Sequence, residues 1–175
     1  MTSAAQSFQA NVGAMWGSRD PDDTLVALAR REEPGSPFLL LDGQLTEAAS
    51  GARFDNRNPT TERVMGSTAD AGAADVEHAV VAARRAFDET SWSVNHGFRR
   101  RCLEQLYAGL VKVADQPRAT ATNEVGVGLR STYGFHSDAS IALLPWFAEL
   151  AETYAYDTRL PDRPWAPGVR RIVAR

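Results

Sequence analysis

Between residues 70 and 157 no stretch of the chain alternates apolar and polar residues, and this gap decides what the chain can fold into. A parallel sheet needs strands interleaved with helices, because each parallel pair is joined by a long crossover. Here every extended segment lies before residue 70 or after residue 157, and the middle reads as helix throughout. The expected class is therefore α+β: two antiparallel hairpins, four helices and a terminal extended segment.

The hairpins are announced by their turns. Phe38-Leu39-Leu40-Leu41 is an apolar run closed by Asp42-Gly43, a pair suited to two central turn residues of positive φ. Leu45 starts the return strand, and Ser50-Gly51 makes the next turn. Arg53 to Arg57 and Arg63 to Thr68 flank Asn58-Pro59-Thr60-Thr61, which reads as the second hairpin. Before them, Asp22 or Asp23 caps a short helix through Leu25, Val26, Leu28 and Ala29, read here as a surface appendage that Pro34-Gly35 ends. Residues 1–20 carry little pattern and are expected to be frayed.

After Gly72 the apolar period becomes helical. Val76, Val80, Ala83 and Phe87 share a face, with Gly72 as N-cap and Asp75 in the first turn. Phe98, Cys102, Leu103, Leu106, Leu110 and Val113 form the stripe of a second helix beginning after Gly97. Pro117 ends it or opens a third, which runs through Val125 to Leu129. A fourth spans about His136 to Tyr156, with Ile141, Leu144, Ala148, Ala151 and Tyr154 inward and Pro145 interrupting its ladder. Pro161, Pro164 and Pro167 then exclude helix, and Val169 to Val173 resumes an extended pattern. No central sheet is present to receive the apolar helix faces, so they are expected to remain uncovered and to seek a partner.

Charge and cysteine content narrow the function. A net charge of −3 and a pI near 5.6 leave no basic excess for nucleic acid. Lys112 is the single lysine, and the arginines are scattered. No apolar run is long enough for a bilayer, and residues 1–20 hold no signal-peptide core. One thiol, Cys102, excludes an internal disulfide and any multi-cysteine zinc site. The expected location is cytoplasmic.

No set of residues is sufficient for catalysis. Cys102 lies on an apolar stripe, where burial raises a thiol's pKa, and is read as structural, buried and inert to thiol reagents. His78 falls on a polar helix side, His96 in a loop and His136 near a helix start, without metal-ligand spacing. Gly126-Val127-Gly128 follows a helix and has Ser131 where a dinucleotide fingerprint needs its third glycine, so it reads as a helix ending. Asp20-Pro21-Asp22-Asp23 lacks the glycine and closing glutamate of a calcium loop, having Leu25 and Arg31 there. Arg99-Arg100-Arg101 is read as a solvated face beside Glu104.

The order of motifs resembles the N-terminal part of an aldehyde dehydrogenase. Leu40-Leu41-Asp42-Gly43-Gln44 is similar to that family's opening I-x-G-x-W hairpin, with Leu45 in place of Trp. Phe54 to Thr61 is similar to its NPATGE turn, with Glu62 where Gly is usual. Asp75-Val76 with Ala79-Val80-Val81-Ala82-Ala83-Arg84-Arg85-Ala86-Phe87 resembles its DVDxAVxAARxAF helix. Trp92, Arg99 or Arg101, Leu103, Glu124-x-Gly126, Asp138-Ala139 and Trp146-Phe147-Ala148 continue in family order. The resemblance covers about residues 37–175. It implies three parts: a poorly patterned extension (1–36), the N-terminal part of the cofactor domain (37–156) and the start of an oligomerisation hairpin (157–175).

In the family a cysteine thiolate attacks an aldehyde, hydride passes to NAD(P), and the thioester is hydrolysed. The segments that carry the cofactor strands, the glutamate base and the nucleophile have no counterpart through Arg175, and Cys102 does not match the nucleophile's motif. The resemblance thus implies no catalytic, cofactor-binding or metal residue in this chain, with NAD(P) expected only for a complete member. The leading expectation is an aldehyde dehydrogenase fragment that is not competent alone, partnered by a second copy or by a completing dehydrogenase chain. The alternative is a free-standing, non-catalytic interaction module of the same descent, and an unrelated helical binding protein is a third reading.

Overall fold

The computed structural model describes residues 20–34, 36–160 and 171–173. Its elements, in order, are α1 (Asp23–Ala29), β1 (Leu39–Leu41), β2 (Gln44–Thr46), β3 (Arg53–Arg57), β4 (Val64–Ala69), α2 (Ala73–Glu89), a single 3₁₀ turn (Ser91–Ser93), α3 (His96–Lys112), α4 (Asp115–Val125), α5 (Leu129–Thr132), α6 (Asp138–Thr153), β5 (Asp157–Arg159) and β6 (Arg171–Val173). The strands form three separate antiparallel pairs, β1–β2, β3–β4 and β5–β6, so the architecture is α+β.

Local chemistry sets the hairpins. Asp42 (φ 50°) and Gly43 (φ 76°) occupy the two positive-φ turn positions, which puts Leu40 opposite Leu45. In the second hairpin Asn58 Oδ1 accepts from the backbone N–H groups of Thr60 (2.8 Å) and Thr61 (3.2 Å), an Asx turn around Pro59. Glu62 takes the left-handed conformation (φ 60°) that glycine adopts more easily. The register slips by one residue between Asn56 and Arg57, a bulge beside this turn.

Helix caps follow the expected residues. Asp22 Oδ1 accepts from Leu25 N–H (2.9 Å) at the start of α1. Asp75 does more than cap α2: its Oδ2 accepts from Gly72 N–H and its Oδ1 from Ala49 N–H, both at 2.9 Å. One buried carboxylate thus joins the helix start to the loop between the two hairpins. The inward face of α2 carries Asp75, Ala79 and Ala82, whereas Val76 and Val80 are exposed. The apolar stripe of α2 is uncovered among the described residues.

Helices α3 and α6 pack together, and α1 packs on α4. The second contact corrects the expectation for the N-terminal helix. Leu25 is 0% exposed and, with Ala29, Ala119 and Tyr133, forms the main buried apolar cluster. A seven-residue helix with two leucines facing one way suffices when Ala119 of the neighbouring helix and Tyr133 receive them. Other boundaries also shift. α4 stops at Val125, where Gly126 turns left-handed (φ 76°), instead of continuing to Leu129. His96 opens α3 instead of lying in a loop, because Asn95 caps the helix by accepting from Phe98 N–H at 2.8 Å. Pro145 lies inside α6 as expected, but the buried side chains of that helix are Ala142 and Ala148, and Tyr154 falls just beyond it, half exposed. Pro161, Pro164 and Pro167 and residues 1–19 lie outside the described residues.

Two truncations test this distribution. Leu25→Ala is expected to remove about 2–5 kcal/mol of stability, the range for a fully buried leucine. Val80→Ala, on the uncovered face, is expected to change it by about 0.5 kcal/mol or less. Urea unfolding of both variants decides the matter, and equal losses would contradict the burial described.

Candidate functional site

A cavity of about 630 Å³ opens where α1, the α3–α4 junction and α6 meet, walled by Leu28, Tyr107, Val111 and Ile141. Its polar floor is Arg118. The guanidinium makes a two-pronged bond to Asp138, Nε to Oδ1 at 2.8 Å and Nη2 to Oδ2 at 2.7 Å. Its third arm, Nη1, donates to Asp115 Oδ1 at 2.6 Å, and its carbon lies 4.6 Å above the Tyr133 ring. Local sequence sets up half of this arrangement. Asp115 and Arg118 are three apart in the first turn of α4, and Pro117 sits there without removing any hydrogen bond that the helix start could make.

Arg118 and Asp138 side chains are only 13% and 14% exposed. Burial pushes the guanidinium pKa down, but the hydrogen bonds it donates to Asp138 and Asp115 outweigh this and the net shift is upward. A group held this firmly in its charged form cannot act as a base, and all three of its arms are engaged. The cluster clamps α4 to α6. Sequence reasoning did not single out Arg118. The Asp115-x-x-Arg118 spacing was visible, but nothing local marks Asp138 as its partner twenty residues on.

The sequence-predicted candidates do not converge on this cavity. Cys102 is half-buried on α3, more open than its stripe implied. His78 and His136 are exposed, and His96 stacks on Tyr156. Among the described residues no group of three or more His, Cys, Asp or Glu side chains is placed to hold a metal. Asp22 is used as a cap, and Asp20 pairs with Arg130 at 3.3 Å. Arg100 is not merely solvated, since it bridges Glu104 (2.7 Å) and Glu152 (2.6 Å). Gly126-Val127-Gly128 is the helix ending expected of it: Gly126 N–H donates to Thr122 O at 3.1 Å. A side chain there would also collide, because a Cβ on Gly126 would lie 3.0 Å from Pro59 Cγ. The neighbouring Glu124 accepts from Asn56 Nδ2 at 2.8 Å, so this helix end is seated on the second hairpin.

The same ordered elements recur in known proteins. The pattern of the aldehyde dehydrogenase family matches residues 45–174. The chain belongs to the aldehyde dehydrogenase family. It is 37% identical over 94 residues to the mitochondrial benzaldehyde dehydrogenase of Antirrhinum majus, covering 50% of this chain and 18% of that protein. It is 31% identical over 118 residues to aldehyde dehydrogenase family 2 member B4 of Arabidopsis thaliana, covering 67% and 21%. Among solved structures, an apo indole-3-acetaldehyde dehydrogenase shares the fold with a TM-score of 0.69 at 24% identity, over 80% of this chain and 33% of that one. PnpE, solved with nicotinamide adenine dinucleotide, aligns with a TM-score of 0.65 at 25% identity, over 73% and 26%. The chain therefore spans about a fifth of these curated relatives and up to 33% of the solved chains. No helix of the described residues is long and apolar enough to cross a membrane.

The two carboxylate clamps make separate predictions. Asp138→Asn leaves the buried Arg118 with only the more exposed Asp115 as counter-charge and is expected to cost up to about 3 kcal/mol. Arg118→Lys keeps the charge but loses the fork and should fall between wild type and Asp138→Asn in urea unfolding. At Asp75 the hydrogen bonds from Ala49 and then Gly72 hold the carboxyl below the usual range. Its contribution is therefore complete above the unfolded carboxyl's value of about 4 and lost as pH falls through the lower folded value. Acid titration of stability should be shallower in Asp75→Asn than in wild type, and identical acid limbs would contradict this role.

Proposed function

We propose that this chain is the N-terminal segment of an NAD(P)-dependent aldehyde dehydrogenase and is not catalytically competent alone. Residues 37–156 supply the outer hairpins and helices of the cofactor domain, and residues 157–175 begin the oligomerisation hairpin. The reaction of the whole protein is oxidation of an aldehyde to a carboxylic acid, with NAD(P) taking the hydride. The observation that carries this reading is the uncovered apolar stripe of α2: Val76 and Val80 face outward although the neighbouring face, through Asp75 and Ala82, is seated against the hairpin segment. Such a stripe calls for a covering surface, which either a second copy or a completing dehydrogenase chain provides. The half-buried Cys102 is a packing residue in this scheme. A single thiol without a disulfide partner fits the reducing cytoplasm.

The second reading, a free-standing non-catalytic module, draws support from the cluster of Leu25, Ala29, Ala119 and Tyr133, which is buried among the described residues. Sedimentation separates the two. Oligomers, or a monomer that gains stability with a co-expressed remainder of the family fold, favour the fragment. A monodisperse monomer with a sharp cooperative melt favours the module. For activity, purified chain given an aldehyde with NAD or NADP is expected to form reduced nicotinamide no faster than buffer. Aldehyde-dependent formation that disappears in Cys102→Ala would overturn the proposal.

A further inference from the structure

We infer that the cavity between α1, α3 and α6 is a preformed binding site for an uncharged, largely aromatic small molecule. Its volume of about 630 Å³ lies within the range of small-molecule pockets, which helical assemblies place between their helices. Leu28 lines it from α1, Tyr107 and Val111 from α3, and Ile141 and Ala142 from α6, and Tyr133 completes the wall.

The space stays open because its walls are pinned at contacts that cannot slide. The Arg118 fork fixes α4 to Asp138, the first residue of α6, with bonds of 2.8 and 2.7 Å. Leu25 and Ala29 fix α1 to Ala119 of α4. Helix α3 is packed on α6. Bringing the apolar walls together would require one of these contacts to break, so repacking does not remove the void. The exposure of the lining agrees: Val111 and Val113 are 50% and 41% exposed, and Leu28 is only half-buried. Water against such walls finds few polar partners, and its displacement by apolar surface is favourable.

Charge decides the class of occupant. The ionic side chains in the lining are Lys112, Asp115, Arg118 and Asp138, two of each sign. Arg118 has all three nitrogens engaged, and two carboxylates already match its charge. Asp138 has both oxygens on the same guanidinium, which leaves it no excess charge for a cation. What remains lies toward solvent: Lys112 is exposed at the end of α3, and the Asp115 side chain is 41% exposed. These two oppose each other for a ligand of either sign, and an exposed ion pair contributes about 1 kcal/mol at most. A charged head would therefore lose water without gaining a matched partner, a cost that a neutral molecule avoids. The rings of Tyr107 and Tyr133 favour an aromatic body. Gln116 supplies an amide that both donates and accepts, which suits a hydroxyl or carbonyl on the ligand.

Three probes of one shape test this on the full chain at pH 7: 2-naphthalenemethanol, 2-naphthoate and 2-naphthylmethylammonium. The alcohol is expected to bind saturably and to move the methyl NMR signals of Leu28, Val111 and Ile141. Those of Val76 and Val80, on the uncovered face of α2, should stay in place. Each charged probe should bind at least about tenfold more weakly than the alcohol. Val111→Trp sets a ring in the cavity from a half-exposed position and should abolish the response to the alcohol. Lys112→Gln removes the exposed cation and should leave the alcohol's affinity unchanged within about twofold. Naphthoate binding as tightly as the alcohol, and lost in Lys112→Gln, would make this an anion site and overturn the inference. So would methyl shifts of equal size at Val76 and Val80, or an undiminished response in folded Val111→Trp. A cavity already filled by another segment of the chain or by a second copy gives no response to the alcohol, which also overturns it. If Val111→Trp does not fold, the pattern of wild-type methyl shifts decides alone. None of these outcomes depends on the enzymatic reading above, whose tests are activity and sedimentation.

Discussion

The described structure has no central apolar layer, and the rest of its design follows from that. Of the nine buried apolar residues described, seven are alanine, with only Leu25 and Tyr133 larger. Alanine lets backbones approach closely but buries little area, so burial contributes little at each contact. Large side chains such as Leu40, Val76, Val80, Leu106 and Phe147 remain exposed. Elements that cannot be held by a shared core are instead held at discrete polar points.

Those points have a common form: a side chain already required locally is given a second, distant partner. Asp75 caps α2 as any first-turn aspartate might, and the same carboxylate also takes Ala49 N–H. Asp115 forms an ordinary short-range pair with Arg118, whose remaining two arms then reach Asp138. Glu124, at the end of α4, receives Asn56 from β3. Each link is directional, so it fixes relative position more sharply than a sliding apolar contact does. Their burial also makes them unforgiving, because removing one partner leaves a desolvated charge or donor behind.

This division explains which parts of the structure were legible in the sequence. Turn chemistry is local, and Asp42-Gly43 and Asn58-Pro59 lie where turn rules place them, while Glu62 is left-handed where the family resemblance has Gly. Helical period is also local, so α2, α3 and α6 were located to within a few residues, and Gly126 read as a helix end proved to be one. Burial of the short α1 was not legible, because its merit lies in Ala119 of α4 and Tyr133, about a hundred residues away. The Arg118–Asp138 fork was missed for the same reason. No period or spacing encodes a contact between two helices that approach only in the folded chain.

The face of α2 sharpens the point. Its strongest pattern, Val76-Val80-Ala83-Phe87, marks the side that wants an apolar neighbour, and among the described residues Val76, Val80 and Ala83 stay exposed, with Phe87 half-buried. The hairpins instead take the side of Asp75, Ala79 and Ala82, where small side chains and one carboxylate allow close backbone approach. Amphipathicity thus reports the interface worth most in free energy, roughly 1.5–3 kcal/mol for each valine or phenylalanine fully covered. The interface that positions the helix is the weaker one, set by a capping carboxylate and two alanines. A helix seated on its poorer face with its richer face open is prepared to bind without having to refold. In a chain that spans about a fifth of its curated relatives, that is where added surface gains most.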